Sequence, residues 1–169
     1  MLFTNAYAPA ANCAPSRDCV FSVQYGPRHG VYTVGTSARG QAKDRKLIPT
    51  KNTAHLAPEI ETLSEVLQAG GYRTIHLGKW HLGMDPTEQG FDVNIGGYNM
   101  GGPKGGYYLP IQSTAKVAEF NDDYPAGTHI ADVFADQAAK FIRSHREEPF
   151  FVHMAYYLIH TPLQAVPEM

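Results

Sequence analysis

Cys13-Ala-Pro-Ser-Arg17 sets a thiol, a proline and a guanidinium within five residues. Pro15 suits the first turn of a helix, where its missing N–H costs nothing. A thiol at such a helix start faces the positive end of the helix dipole and unpaired backbone N–H groups. The same place favours a bound sulfate or phosphate. Arg17, one turn on, adds a planar charged donor for an oxyanion. Read alone, the stretch is a nucleophile beside an anion clamp. The plainer alternative is a buried cysteine at a helix start with a surface arginine. The chain has only one other cysteine, Cys19. On a helix the two thiols would point about 120° apart, so chemistry at Cys13 belongs to Cys13 alone.

Two further stretches carry candidate groups. In Gly78-Lys-Trp-His-Leu-Gly83, Lys79 and His81 alternate across Trp80, so both could face one side of an extended segment. A lysine supplies a point charge for an anion, and a histidine a donor or proton carrier. In His160-Thr-Pro162 a histidine follows a strand-like run. Each stretch alone reads more simply as structural. Together they put a nucleophile, two cationic clusters and a histidine at element ends. The remaining histidines (His29, His55, His76, His129, His145 and His153) show no ligand-like spacing and read as surface or packed imidazoles.

The elements that must position these groups follow from pattern. A helix is expected over Pro15–Gln24. Residues 35–58 read as loop. Thr62-Leu-Ser-Glu65 has the form of a capping box, Leu63, Val66 and Leu67 give an apolar stripe, and Gly70-Gly71 stop that helix. Residues 72–78 alternate like a strand. Residues 84–127, rich in Gly and Pro, form a long irregular region, which in a compact domain is usually functional. Thr128 is placed to cap a helix whose buried face would be Ile130, Val133, Phe134, Ala138, Phe141 and Ile142. Residues 149–157 read as a buried parallel strand. Helix–strand followed by helix–strand predicts an α/β fold on a mixed, mainly parallel sheet. In such sheets ligands bind beyond the C-terminal ends of the strands, which is where Lys79, His81 and His160 fall.

The 169 residues suffice for a core, and 43% hydrophobic against 18% charged residues describes a globular chain. A formal charge of −2 argues against nucleic acid as a partner. No apolar run reaches the ~20 residues of a membrane span. The first thirteen residues lack the basic and apolar regions of a signal peptide.

These motifs resemble one family. Residues 13–17 match the sulfatase signature Cys-x-Pro-Ser-Arg, and residues 71–83, GYRTIHLGKWHLG, look like that family's second signature. Residues 3–17, 28–32, 86–97 and 149–168 are similar to other sulfatase stretches, in the usual order. The resemblance implies an alkaline-phosphatase-like α/β sandwich with helices on both faces of the sheet. It implies a sulfuric ester hydrolase, with a sulfated glycan or an aryl sulfate as substrate. In this family a separate maturation enzyme oxidises the signature cysteine to Cα-formylglycine. One hydroxyl of its hydrate attacks sulfur, and the other expels sulfate. A calcium ion, or magnesium, holds the sulfate and the hydrate. Carried over, Cys13 is the modified nucleophile and a metal ligand. Arg17 stabilises the hydrate, Lys79 binds sulfate, His81 lies near the hydrate, and His160 meets the sulfate or the leaving oxygen. Relatives usually work in the periplasm, outside the cell or in lysosomes.

Departures from the family pattern are equally specific. Its early Asp-Asp metal pair would precede residue 1, and its later Asp-Asn pair would follow Met169. Asp122-Asp123 sits in the wrong place. Residues 1–169 are therefore expected to be part of one sulfatase catalytic domain, lacking the first metal-binding strand and the C-terminal portion. The chain alone is expected to be inactive. Where the family carries Thr-Gly-Arg or Thr-Gly-Lys, this chain has Ser22-Val23-Gln24. That puts conversion of Cys13 at issue. The alternatives are a phosphatase or phosphonate hydrolase of the same superfamily, and a non-catalytic remnant.

Overall fold

The computed structural model describes residues 1–83, 85–111 and 117–165. It forms two compact units, Met1–Leu63 and Ser64–Met169.

The first unit carries α1 (Cys13–Ser22), α2 (Gly26–His29) and a 3-10 turn at Ala42–Asp44. Its buried apolar residues include Ala14, Phe21, Val31 and Leu56. α1 starts two residues before the expected Pro15, so the motif cysteine is its first helical residue. It also stops before the expected Gln24, because Val23 adopts the left-handed conformation with φ 53°. Long loops follow, tied by Asn52. Its Oδ1 accepts from the Tyr32 and Thr33 N–H groups, and its Nδ2 donates to the Thr33 and Gly35 carbonyls.

The second unit holds α3 (Leu63–Ala69), β1 (Arg73–Gly78), β2 (Val93–Ile95), α4 (Ile130–Ser144) and β3 (Phe150–Ala155). The strands form one sheet in the order β2-β1-β3, parallel throughout. Residues 73 to 78 pair in register with 150 to 155. β1 is central and buried on both faces. Ile75 and Leu77 pack with Val133, Phe134 and Phe141 of α4. The alternate residue His76 points the other way, against the rings of Trp80 (5.1 Å) and Phe91 (5.4 Å).

Five expectations change here. β3 is parallel but only half-buried, because it is the edge strand of the sheet. On α3, Leu63 and Val66 are exposed while Ser64 is buried. The 89–90 segment packs directly on this backbone: a Cβ on Gly90 would lie 2.2 Å from the Glu65 nitrogen, and the Ser64 hydroxyl donates to the Gln89 carbonyl at 2.5 Å. His129 caps α4 in place of Thr128, its Nδ1 accepting the Ala131 N–H at 3.1 Å. Thr128 instead donates to the Pro125 carbonyl. β2 emerges from the region read as irregular. Ile142 faces outward at 39% exposure, whereas the rest of the α4 face is buried as expected.

Candidate functional site

In the first unit the signature forms the start of α1. Asn12, the N-cap, makes no side-chain bond to the helix; its amide donates to Thr33 Oγ1 at 3.2 Å. The first-turn N–H groups therefore have no side-chain cap from Asn12. Cys13 is half-buried among them and Arg17 is half-buried one turn along. The two cysteines lead separate lives, as their spacing implies. Val31 N–H donates to His29 Nδ1 at 3.2 Å, which leaves the neutral ring's hydrogen on Nε2, 3.3 Å from Cys19 Sγ. Burial raises the Cys19 thiol pKa and lowers that of His29, so this pair is neutral and buried. Cys13 is the thiol that reaches the surface. Between them, Asp18 is fully buried and neither carboxyl oxygen has a hydrogen-bond partner among the described residues.

In the second unit Lys79 leaves β1 through Gly78. A Cβ on Gly78 would lie 2.1 Å from the Ala155 carbonyl oxygen, and its φ is +93°; only glycine fits. Lys79 N–H donates to that same carbonyl at 2.7 Å. The Gly78 carbonyl in turn accepts from His76 Nε2 at 2.9 Å, and His76 Nδ1 meets His153 Nδ1 at 2.8 Å. Two of the histidines read as packed imidazoles thus fix the turn that presents Lys79.

The Lys79–His81 segment is not extended as expected. His81 takes φ 67°, a conformation that costs a non-glycine residue energy and recurs at functional sites. Its N–H donates to the Tyr98 carbonyl at 2.9 Å. The turn still brings Lys79 and His81 together. A Cβ on Gly101 would lie 2.9 Å from the His81 ring and 3.6 Å from Lys79 Nζ, and one on Gly102 would lie 3.1 Å from His160 Nδ1. Groups from two separate stretches of sequence thus surround one glycine pair contributed by a third. Tyr98 braces that loop, its hydroxyl donating to the Gly102 carbonyl at 2.5 Å and accepting from Lys104 N–H at 2.9 Å. Sequence reasoning missed Tyr98, Gly101 and Gly102. The only signal was the glycine density of residues 84–127.

His160 donates Nδ1–H to the Thr161 carbonyl at 2.8 Å. In the neutral ring this leaves Nε2 an acceptor. The imidazolium has a second donor at Nε2, which is the form that suits a sulfate oxygen or protonates a leaving oxygen.

Calcium takes 6–8 oxygen ligands. Among the described residues no group of three or more His, Cys, Asp or Glu is placed to hold a metal ion. Asp122 and Asp123 are exposed, just after the 3-10 turn at Val117–Phe120. The residues present do not fit the ion that the resemblance implies. No helix among the described residues is long and apolar enough to cross a membrane.

Comparison with known proteins points to one family. N-acetylgalactosamine-6-sulfatase of Rattus norvegicus is 29% identical over 182 residues, covering 98% of this chain and 34% of its own length. Arylsulfatase G of Rattus norvegicus is 28% identical, covering 100% and 36%. The chain therefore spans about a third of the curated relatives it matches. The solved structure of Ps i-CgsB with k-i-k-neocarrahexaose superposes with a TM-score of 0.65 at 22% identity, over 96% of this chain and 38% of that one. It shows the shared α/β fold. The family model described as Sulfatase matches residues 1–169, and with the signature at the start of α1 and Lys79, His81 and His160 around one glycine pair, the chain belongs to the sulfatase family.

Proposed function

We propose that the full-length protein hydrolyses sulfate esters and that residues 1–169 supply the nucleophile and the cationic groups of one catalytic domain. The observation that carries this reading is the gathering of Lys79, His81 and His160 on the Gly101–Gly102 backbone. A maturation enzyme oxidises Cys13 to the aldehyde, which hydrates. One hydroxyl of the hydrate gives its proton to His81 as its oxygen bonds to sulfur and the S–O bond to the alcohol breaks. The alcohol oxygen takes a proton from the His160 imidazolium. The second hydroxyl then gives its proton to the now neutral His160, the C–O bond to sulfate breaks as the aldehyde re-forms, sulfate leaves, and water restores the hydrate. A thiolate nucleophile has no such exit, and covalent catalysis needs an easy second step. Lys79 holds sulfate by charge, His81 carries the proton at the hydrate, and Arg17 stabilises the hydrate's oxygens. The described residues do not by themselves fit the expected calcium, and none of these steps is routed through it.

The relatives' names span a sugar sulfate and aryl sulfates, so they leave the alcohol open. A non-catalytic remnant is the second reading, favoured by Val23 at the position where the signature usually carries glycine. One measurement separates the two. Conversion of a thiol to an aldehyde lowers the mass by about 18 Da by atom counting. Peptide mass spectrometry on protein made with the maturation enzyme is expected to find that loss at Cys13 and not at Cys19, with sulfate as the released product. A thiol retained at Cys13 puts the remnant first; phosphate release without sulfate release moves the chain to the phosphatase branch.

A further inference from the structure

His129 has a free function beyond capping. Its Nδ1 accepts the Ala131 N–H, so in the neutral ring the hydrogen sits on Nε2. That Nε2 is buried without a hydrogen-bond partner among the described residues, in a side chain 5% exposed. The ring cannot swing away. It stacks on Tyr107 at 5.6 Å and 11°, and meets Tyr108 edge-on at 5.1 Å. A buried donor left unpaired costs about 1–3 kcal/mol, a cost that a ligand would remove. The same ring lines a cavity of about 650 Å³ whose wall includes Asp132, Leu158, Leu163, Gln164 and His160. That volume is in the range of small-molecule sites.

Resting on the sulfatase reading, we propose that this cavity receives the alcohol half of the sulfate ester, and that the alcohol is a saccharide. His160 carries the continuity: the residue assigned to the leaving oxygen is part of the cavity wall. The wall chemistry selects the class. Leu158 and Leu163 offer apolar surface for the C–H face of a sugar ring. His129 Nε2–H offers a donor, and Asp132 an acceptor that lies close enough to His129 to interact with it electrostatically. One sugar hydroxyl can accept from the first and donate to the second. Gln164 adds an amide, fixed by the Tyr107 N–H donating to its Oε1 at 2.8 Å. An aryl alcohol would cover the apolar wall and leave the buried His129 donor unpaired.

The test has two arms. In the first, histidine-labelled chain is titrated with methyl glucoside and methyl galactoside, up to about 100 mM, enough to fill a millimolar site. The His129 ring resonances should shift and saturate, while those of exposed His55 stay still. In the second, His129→Asn keeps a capping oxygen and loses the ring donor. In the full-length protein it should lower kcat/KM for a sulfated hexoside about tenfold or more, leaving 4-nitrophenyl sulfate within about twofold. No His129 shift with either glycoside overturns the proposal, as does an equal loss on both esters. A shift with 4-nitrophenol but neither glycoside assigns the cavity to aryl alcohols and also overturns it. A glycoside shift in a protein that hydrolyses neither ester upholds the saccharide site while the sulfatase reading fails.

Discussion

Burial sets the charge of Asp18. Removing its carboxyl from water raises the pKa from 3.8 to about 7, against a smaller opposing pull from Arg17. The sign follows from linkage. Below pH 4 the carboxyl is protonated folded and unfolded, and its ionisation carries no cost. From pH 4 to 7 the unfolded chain releases the proton and the folded chain keeps it, so stability falls as pH rises. The loss is at most on the order of 4 kcal/mol, at about 1.4 kcal/mol per pH unit of difference. Asp18→Asn should flatten that slope. Urea midpoints at pH 4, 5.5 and 7 check it, and parallel curves for the two proteins would refute the assignment. Gly101 poses a different test. A methyl there meets the His81 ring at 2.9–3.0 Å, too close without displacement. Gly101→Ala should keep the circular dichroism of the parent and lower sulfate-ester kcat in the full-length protein by about tenfold to a hundredfold, the cost of misplacing a reacting group by an ångström. Sequence alone singles out Cys13, Arg17, Lys79, His81 and His160 as candidates, because each is a chemically distinctive type at an element end. It could not expose Gly101, Gly102 or His129. Their roles come from what other segments bring against them, and a glycine or a capping histidine has no local signature of that.

Element ends rather than element interiors carry the surprises. β1, β3 and α4 follow from periodicity, and the Gly70-Gly71 stop appears as expected, with Tyr72 N–H reaching the Leu67 carbonyl. What the pattern could not weigh is position in the sheet. Residues 149–157 are apolar enough for a central strand, yet β3 pairs on one side only. β2 is three residues long, too short for a period-2 signal. The end of α1 offers a reason for the glycine that the resemblance places just after its tenth helical residue. The residue there is the C-cap, and Val23 holds φ 53°, ψ 32°. A β-branched residue in that region costs about 1–2 kcal/mol. Glycine removes the strain and adds about 0.5–1 kcal/mol of backbone entropy loss. Val23→Gly should therefore stabilise the first unit by about 0.5–1 kcal/mol, read as a higher denaturant midpoint. It should also raise the fraction of Cys13 converted, if the modifying enzyme reads a regular helix end. An unchanged midpoint would show that the valine is not strained.

At the scale of the whole molecule the missing piece is the cation. Sulfate chemistry favours a hard ion that neutralises developing charge, and the resemblance assigns calcium to the site. The resemblance counts Cys13 among that ion's ligands, and the described residues offer no cluster of acidic groups to complete a cage. An ion that binds the folded state alone stabilises it by RT ln(1 + [L]/Kd). With no assembled cage that term vanishes. The 169-residue chain should melt at the same temperature in millimolar calcium and in chelator, and should turn over no aryl sulfate in either. The full-length protein, where further ligands can contribute, should melt higher with calcium and lose activity in chelator. A calcium-dependent rise in the melting temperature of the short chain would mean that its own carboxylates assemble a cage in solution. Asp18 would then be the first residue to mutate, since a buried carboxyl with both oxygens unpaired is the group an ion would recruit.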